Sequence, residues 1–234
     1  MSILITGNRG FIASGLEGDG IDLKDGQDIH QYKAKRKYDV VIHTAAETSV
    51  TKSIEYPHIF VYQNIQGTVS ILKEHPESHF IYLSTAGVYG EGIAHTVLSP
   101  LNPQSVYAST KLAGEFLVKN LAKSWCILRL TNVIGSGERG EPNVYQVFEK
   151  EEVLPIYGDG HQTRDFIHVD NVRKLIRSFA KSKKQGLFNV GSGVSKTVLD
   201  VAMEFKKPLQ FLPTRHGEIR HFGVLDAIGN TTQL

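Results

Sequence analysis

The stretch Ser2-Ile3-Leu4-Ile5-Thr6-Gly7-Asn8-Arg9-Gly10-Phe11-Ile12-Ala13 decides the fold of this chain. Ser2 to Thr6 is a short β-rich run that delivers a glycine-rich turn into the start of a helix. That arrangement places a pyrophosphate on a helix N-terminus, where backbone N–H groups and the helix dipole favour negative charge. Gly7 allows the tight turn, Gly10 lets the backbone approach the phosphates, and Ala13 stands where a small residue permits close helix–strand packing. Two glycines after a strand also fit an ordinary βα turn, so the reading needs a partner residue further along. Asp22, in Gly20-Ile21-Asp22-Leu23-Lys24, ends the next strand where a carboxylate holds the adenosine ribose. It follows Gly7 sooner than the usual spacing of about 20 residues. The intervening helix is therefore predicted to be stunted, covering little more than Gly10 to Glu17. Asp22 favours NAD over NADP by accepting from a 2′-hydroxyl and repelling a 2′-phosphate, although Arg9 and Lys24 lie near in sequence.

Strand and helix patterns alternate through the rest of the chain. Strands are expected near 2–6, 20–23, 39–43, 79–84, 125–131 and 187–190, and helices near 10–17, 57–74, 103–123, 142–150, 169–181 and 196–206. This alternation implies an α/β fold, a doubly wound parallel sheet of Rossmann type with ligands at the carboxyl ends of its strands. At 234 residues and 41% hydrophobic content, the chain can bury one full core and a small appendage. Its formal charge of +2 leaves no large electrostatic footprint for nucleic acid, and the basic run Lys33 to Lys37 reads as a solvated loop. A single cysteine, Cys126 in an apolar strand, suits a reducing cytoplasm, and no signal peptide or membrane span is read. No metal-ligating set is expected.

Tyr107-Ala108-Ser109-Thr110-Lys111 carries the chemistry. Tyr107 and Lys111 are four apart, on one helix face. A lysine there can stabilise the phenolate and bring a phenol, ordinarily near 10, into use as a proton shuttle at neutral pH. Thr85, between the glycine-rich turn and this pair, adds a hydroxyl with one donor and two acceptor sites.

These motifs resemble the extended short-chain dehydrogenase/reductase family, in its NAD-dependent nucleotide-sugar epimerase/dehydratase branch. The resemblance runs in order through Thr6 to Ile12, Val41-Ile42-His43-Thr44-Ala45-Ala46, Asn64 to Thr68, Leu83 to Gly90 and the Tyr107/Lys111 pair. It continues through Arg129 to Gly135, Gly158 to Asp170, Phe188 to Gly193 and Arg215-His216-Gly217-Glu218. The resemblance implies that Gly7, Asn8, Arg9, Gly10, Phe11, Ile12, Asp22, Ala45, Ala46 and Asn64 bind NAD together with Tyr107 and Lys111. It implies catalysis by Thr85, Tyr107 and Lys111, with Thr85 orienting the reacting oxygen. Asn132, Arg164 and Arg215 would contact a nucleotide-sugar substrate, arginine being suited to phosphate by its rigid fork. Arg164 could instead pair with Asp165, Asn132 could merely fix its loop, and Asn189 reads as stabilising the turn after the last strand. Residues 1–135 would form the NAD-binding core and 136–234 a reduced substrate-binding part, with a segment near 165–195 returning to the sheet. Relatives of this kind often form homodimers through two long helices, here near 57–74 and 103–123. Phe60, Ile71, Leu72, Leu112, Phe116 and Leu117 could serve that interface or the core, the core being the expected destination of most.

Dehydratases of the family carry Asp-Glu after the catalytic threonine, whereas this chain has Ala86-Gly87. Elimination of water then lacks its proton carriers. The resulting expectation is a nucleotide-sugar 4-epimerase working by transient hydride abstraction and return. An NAD(P)H-dependent reductase of a 4-keto nucleotide sugar, or a non-catalytic nucleotide sensor on the same fold, stand as alternatives. The chain is shorter than most members in the first helix, around 136–153 and at the C-terminus, and the reduced substrate part would leave the pocket more open to water.

Overall fold

The computed structural model describes residues 1–137, 142–214 and 219–229. In chain order the first strands are β1 (Ile3–Thr6), β2 (Asp19–Ile21) and β3 (Val40–His43). A short helix α1 (Val50–Glu55) precedes α2 (Pro57–Phe60), a π-helical stretch over Val61–Gln66 and α3 (Gly67–Glu74). Then come β4 (His79–Thr85), β5 (Gly92–His95), α4 (Val106–Leu121), β6 (Ser124–Leu130), β7 (Asn132–Ile134) and α5 (Val144–Lys150). The remaining elements are β8 (Leu154–Tyr157), β9 (Thr163–His168), α6 (Val169–Ser182), β10 (Gly186–Val190), β11 (Ser195–Thr197), α7 (Val198–Phe205), β12 (Leu209–Leu212) and β13 (Phe222–Val224).

Six strands form one parallel sheet in the order β10-β6-β4-β3-β1-β2. Its central strands are apolar on both faces because each face is covered, as parallel sheets require. Ile5, Ile42, Ile81 and Leu128 pack beneath α6 with Val172, Ile176 and Phe179. Their sequence neighbours Leu4, Val41, Phe80 and Ile127 point the other way, toward Ile71 and Leu72 of α3 and Val118 of α4. This period-two division of one strand between two cores is the doubly wound architecture. Strand order reverses between β1 and β3, and in such sheets ligands bind at that crevice.

The second half builds smaller pieces around this sheet. Strands β8 and β12 pair in parallel and pack with α5 and α7 around Phe148, Leu154, Ile156, Val201 and Ala202. Strands β7, β9 and β11 form a three-stranded sheet, β13 pairs with β5, and the chain rejoins the main sheet at β10. The helix expected near 10–17 is reduced further than its spacing suggested, to a single 3-10 turn over Ala13–Gly15. No helix of the described residues is long and apolar enough to cross a membrane.

Candidate active site

Gly7 closes β1 with φ +68°, a left-handed conformation that glycine adopts without strain. A Cβ there would stand 2.8 Å from the Ala45 Cα, so β1 and the end of β3 meet over a residue with no side chain. The turn is fixed by Gly7 N–H donating to the Ile21 carbonyl at 2.8 Å and Gly10 N–H to the Gly7 carbonyl at 2.9 Å. Asp22, at the end of β2, accepts the N–H of Arg9 at 3.0 Å and of Lys24 at 2.9 Å. Its carboxylate thus ties the glycine-rich loop to the second strand, with further acceptor sites to spare. Arg9 extends to Asp25 at 2.7 Å, while Asn8 Oδ1 is shut from solvent and accepts from no described residue. A bare glycine cradle at the switch point, a strand-end carboxylate and an orphaned buried amide oxygen fit a dinucleotide such as NAD.

Behind this crevice lies a buried polar chain. Thr68 Oγ1 donates to the Asn64 carbonyl at 2.6 Å, so it receives the proton of His43 Nε2 at 3.0 Å. His43 Nδ1 therefore accepts from Thr6 Oγ1 at 2.8 Å, and Thr6 in turn accepts the Ala45 N–H at 3.2 Å. Full burial, with the charge of Lys111 adding to it, pushes His43 down to about 3 and keeps its ring neutral. The chain runs from the π-helical stretch to the backbone after β3, holding Ala45 against Gly7.

Asn64, expected to bind the cofactor, is 1% exposed and spends its amide on protein. Its oxygen accepts the Glu47 N–H at 2.8 Å, and its nitrogen donates to the Glu47 carbonyl and to Thr110 Oγ1, both at 3.0 Å. Asn64 therefore anchors the segment after β3 to α4 one residue before Lys111. The π-helical winding places this anchor, a deviation of the kind often found at functional sites.

Helix α4 starts where Ser105 caps it by accepting the Ala108 N–H at 3.1 Å. Tyr107 lies in its first turn, partly buried, and Lys111 one turn on at 3% exposure. The Lys111 ammonium sits 4.2 Å from the Tyr82 ring centroid. Burial draws Lys111 down from 10.5 to about 7, with Glu115 pulling the other way. Thr85 ends β4, partly buried, and its Oγ1 accepts the Gly87 N–H at 3.1 Å, which leaves its proton to donate. The 3-10 turn over Ala86–Tyr89 that follows buries Ala86 completely.

One more turn along α4, Glu115 anchors a group that the sequence reading passed over. Its carboxylate accepts Arg129 Nε at 2.9 Å, Arg129 Nη2 at 2.6 Å and Ser84 Oγ at 2.6 Å. Arg129 Nη1 donates to Tyr89 Oη at 2.8 Å, and Tyr89 donates to Asn189 Oδ1 at 2.8 Å. Asn189 Nδ2 reaches Asp226 at 2.6 Å, so Asn189 links β10 to the C-terminal segment rather than only steadying a turn. Two signals were legible in the sequence: Glu115 continues the spacing of Tyr107 and Lys111, and Arg129 is a charge inside an otherwise apolar strand.

The residues expected to contact a substrate are less tightly drawn together. Asn132 opens β7, partly buried, beside Phe166 of β9. Arg164 donates to the carbonyls of Thr163 at 2.8 Å and Arg220 at 3.3 Å. Asp165 points to the opposite face of the strand, as alternation requires. There it accepts the Ser192 N–H and hydroxyl, each at 2.7 Å, and the Gly193 N–H at 2.9 Å. Arg215 lies outside the described residues. Among the described residues no cluster of three His, Cys, Asp or Glu could hold a metal.

Comparison with known proteins agrees with this architecture. The model of the NAD dependent epimerase/dehydratase family matches residues 16–191. A Methanocaldococcus jannaschii protein provisionally named UDP-glucose 4-epimerase is 32% identical over 224 residues, covering 89% of this chain and 73% of that protein. The Bos taurus dTDP-D-glucose 4,6-dehydratase is 31% identical over 196 residues, covering 78% of this chain and 55% of the bovine one. The crystal structure of UDP-glucuronic acid 4-epimerase from Bacillus cereus, bound to UDP-glucuronic acid and NAD, superposes with a TM-score of 0.86. It is 28% identical, and the match covers 96% of this chain and 90% of that one. With a matched model spanning most of its length and a six-stranded parallel sheet of the same type, this chain belongs to the NAD dependent epimerase/dehydratase family.

Proposed function

We propose that the protein is an NAD-dependent nucleotide-sugar epimerase that inverts C4 by transient oxidation. The observation that carries this reading is the turn after Thr85, where the buried methyl of Ala86 and the bare Gly87 replace any acid or base. Eliminating water from a sugar needs a proton donor and acceptor beside the reacting carbons. Epimerisation needs one group that takes the hydroxyl proton and returns it. Tyr107 is that group: its phenol exchanges the proton of the C4 hydroxyl, and the Lys111 cation one turn away stabilises the phenolate. Thr85 keeps a proton to donate to the same oxygen, which aligns it with Tyr107. When bound, NAD supplies the acceptor and later the donor of hydride. The loop from Gly7 to Ile12, with Asp22 and Ala45, holds the dinucleotide, and Ala46 borders the same crevice. The two backbone N–H groups already on Asp22 orient its carboxylate, which favours NAD over its 2′-phosphorylated form.

Asn132, at the end of the 1–135 core, and Arg164, from the 136–234 part, bind the nucleotide-sugar, with Arg215 as a second diphosphate contact. The chain works in a reducing cytoplasm, in keeping with its single buried thiol, Cys126. It assembles as a homodimer through the helices over 57–74 and α4. Phe60, Ile71 and Leu72 are committed to the interior, but Ile59, Tyr62 and Phe116 stay 39%, 50% and 52% exposed. The test of the activity is a panel of UDP- and dTDP-hexoses incubated with purified protein and followed by proton NMR. The expected product is the C4 epimer at unchanged oxidation level. A 4-keto-6-deoxy product would overturn the reading in favour of a dehydratase, and a product formed only with added NAD(P)H would favour the reductase.

A further inference from the structure

The glycine-rich loop of this chain does not lead into a helix. One 3-10 turn, Ala13–Gly15, follows it, and Ile12 at its start has no side-chain cap. A continuing helix would take up the carbonyls of this turn and present its positive end to a bound anion. Here a residue roughly 160 positions away meets the same carbonyls. Arg173 of α6 donates from Nη2 to the Phe11 carbonyl at 2.8 Å and from Nε to the Ile12 carbonyl at 3.0 Å. The same Nη2 reaches Ser14 Oγ at 3.3 Å, and Nη1 is held by Asp170 at 3.0 Å. The Arg173 side chain is only 15% exposed, so its charge is largely withdrawn from water and must be repaid by these oxygens.

Two features indicate a built arrangement. A Cβ on Gly15 would fall 2.5 Å from Arg173 Nε and 2.6 Å from its Cζ, so the guanidinium occupies the room that a side chain at 15 would take. Arg177, one turn further along α6, donates to the Gly15 carbonyl at 2.6 Å and closes the end of the same turn. The peptide units that Arg173 grips are those whose N–H groups belong to Ile12 and Ala13. No described peptide is cis, and a trans peptide holds its N–H antiparallel to its C=O. Fixing the two carbonyls on Arg173 therefore aims the two N–H groups the opposite way and polarises them toward positive charge.

We propose that Arg173 stands in for the missing helix, holding the glycine-rich loop in its diphosphate-binding shape and supplying the positive charge behind it. It is a positioning residue for the dinucleotide, and this inference rests on the reading of the Gly7–Ile12 loop as the NAD site. Arginine suits the task because one rigid fork spans both carbonyls and the Ser14 hydroxyl.

The test is calorimetric titration of NAD into wild-type, Arg173→Ala, Arg173→Lys and Gly15→Ala proteins, with melting temperatures recorded without nucleotide. The wild type is expected to bind NAD. Arg173→Ala should raise the Kd about tenfold or more, the loss of one charged hydrogen bond. Arg173→Lys should fall between, since an ammonium keeps the charge but not the fork. Gly15→Ala, which crowds the guanidinium from the loop side, should repeat the loss, and it decides the matter if Arg173→Ala does not fold. A lower melting temperature with unchanged Kd in both variants would mark Arg173 as purely structural and overturn the proposal alone. A wild type that takes up no NAD would overturn the reading of the loop and the proposal with it.

Discussion

Lys111 is 3% exposed, with the Tyr82 ring under its ammonium and Glu115 one turn along α4. Burial brings it to about 7 in the folded chain, against 10.5 for an ordinary lysine. Between those values the unfolded chain binds more protons, so this group makes stability rise with pH from about 7 to 10.5. Its cost is present in full below that window. Lys111→Met is therefore expected to raise the urea midpoint at pH 6.5 while abolishing turnover, the pattern of a residue kept for chemistry rather than stability. Equilibrium unfolding and a rate assay on the same preparation check both halves. Tyr107→Phe removes the phenolic proton carrier, and turnover should fall by about 10²–10⁴ at saturating NAD. A nucleotide sensor would keep its full ligand response in that variant.

At the scale of elements, the pair between Glu115 of α4 and Arg129 of β6 ties a helix to the sheet in the interior, at 0% and 1% exposure. Arg129→Met alone strands a carboxylate in the interior and should cost about 3–5 kcal/mol in urea unfolding. The double change Glu115→Leu with Arg129→Met should recover most of that loss, because two apolar groups leave no charge unpaired. His43 of β3 makes a second demand, for a neutral ring. It is held at about 3 when folded and 6.5 when unfolded, so stability falls as pH drops through that window, by up to about 1.4 kcal/mol per unit. His43→Phe should flatten the slope of urea midpoint against pH between 6.5 and 4.5, while lowering stability at neutral pH by leaving Thr6 and Thr68 short of a partner.

Strands β1, β3, β4 and β6 of the main sheet were legible as largely buried apolar runs, as in Val40 to His43, whereas β2 and β10 at its edges are shorter on buried residues. The capped helix α4 was equally plain, and with it the Tyr107/Lys111 spacing. Strands β5, β11 and β12 were not, since each is a run of three or four residues with none buried, too short to show a period. The helix near 10–17 was over-read: Gly15 and Gly18 weaken it locally, and the arginines that replace it come from α6. Contacts across such a separation leave no local trace in sequence. Asn64 was expected to bind the cofactor; its anchoring of Glu47 and Thr110 follows only from the π-helical winding.

For the whole molecule, a six-stranded parallel sheet is joined to a second half built from short paired strands. A line of hydrogen bonds, buried from Glu115 through Arg129, Tyr89 and Asn189 and ending on the exposed Asp226, connects the helix carrying Tyr107 to the C-terminal segment. Replacing Asp226 with Ala is expected to raise KM for the nucleotide sugar more than it lowers kcat, because the linkage shapes the substrate side and leaves the Tyr107–Lys111 turn intact. If the homodimer forms as proposed, Phe116→Glu with Tyr62→Glu should yield monomers by light scattering and leave the Kd for NAD unchanged. The central claim is that a hydride leaves C4 and returns to it within one turnover. Its most direct test is a nucleotide hexose carrying deuterium at C4, incubated with the enzyme and analysed by NMR and mass spectrometry. The expected product is C4-inverted, with deuterium retained at C4. A dehydrated 4-keto product, or an epimer that has lost its deuterium to solvent, would contradict that claim.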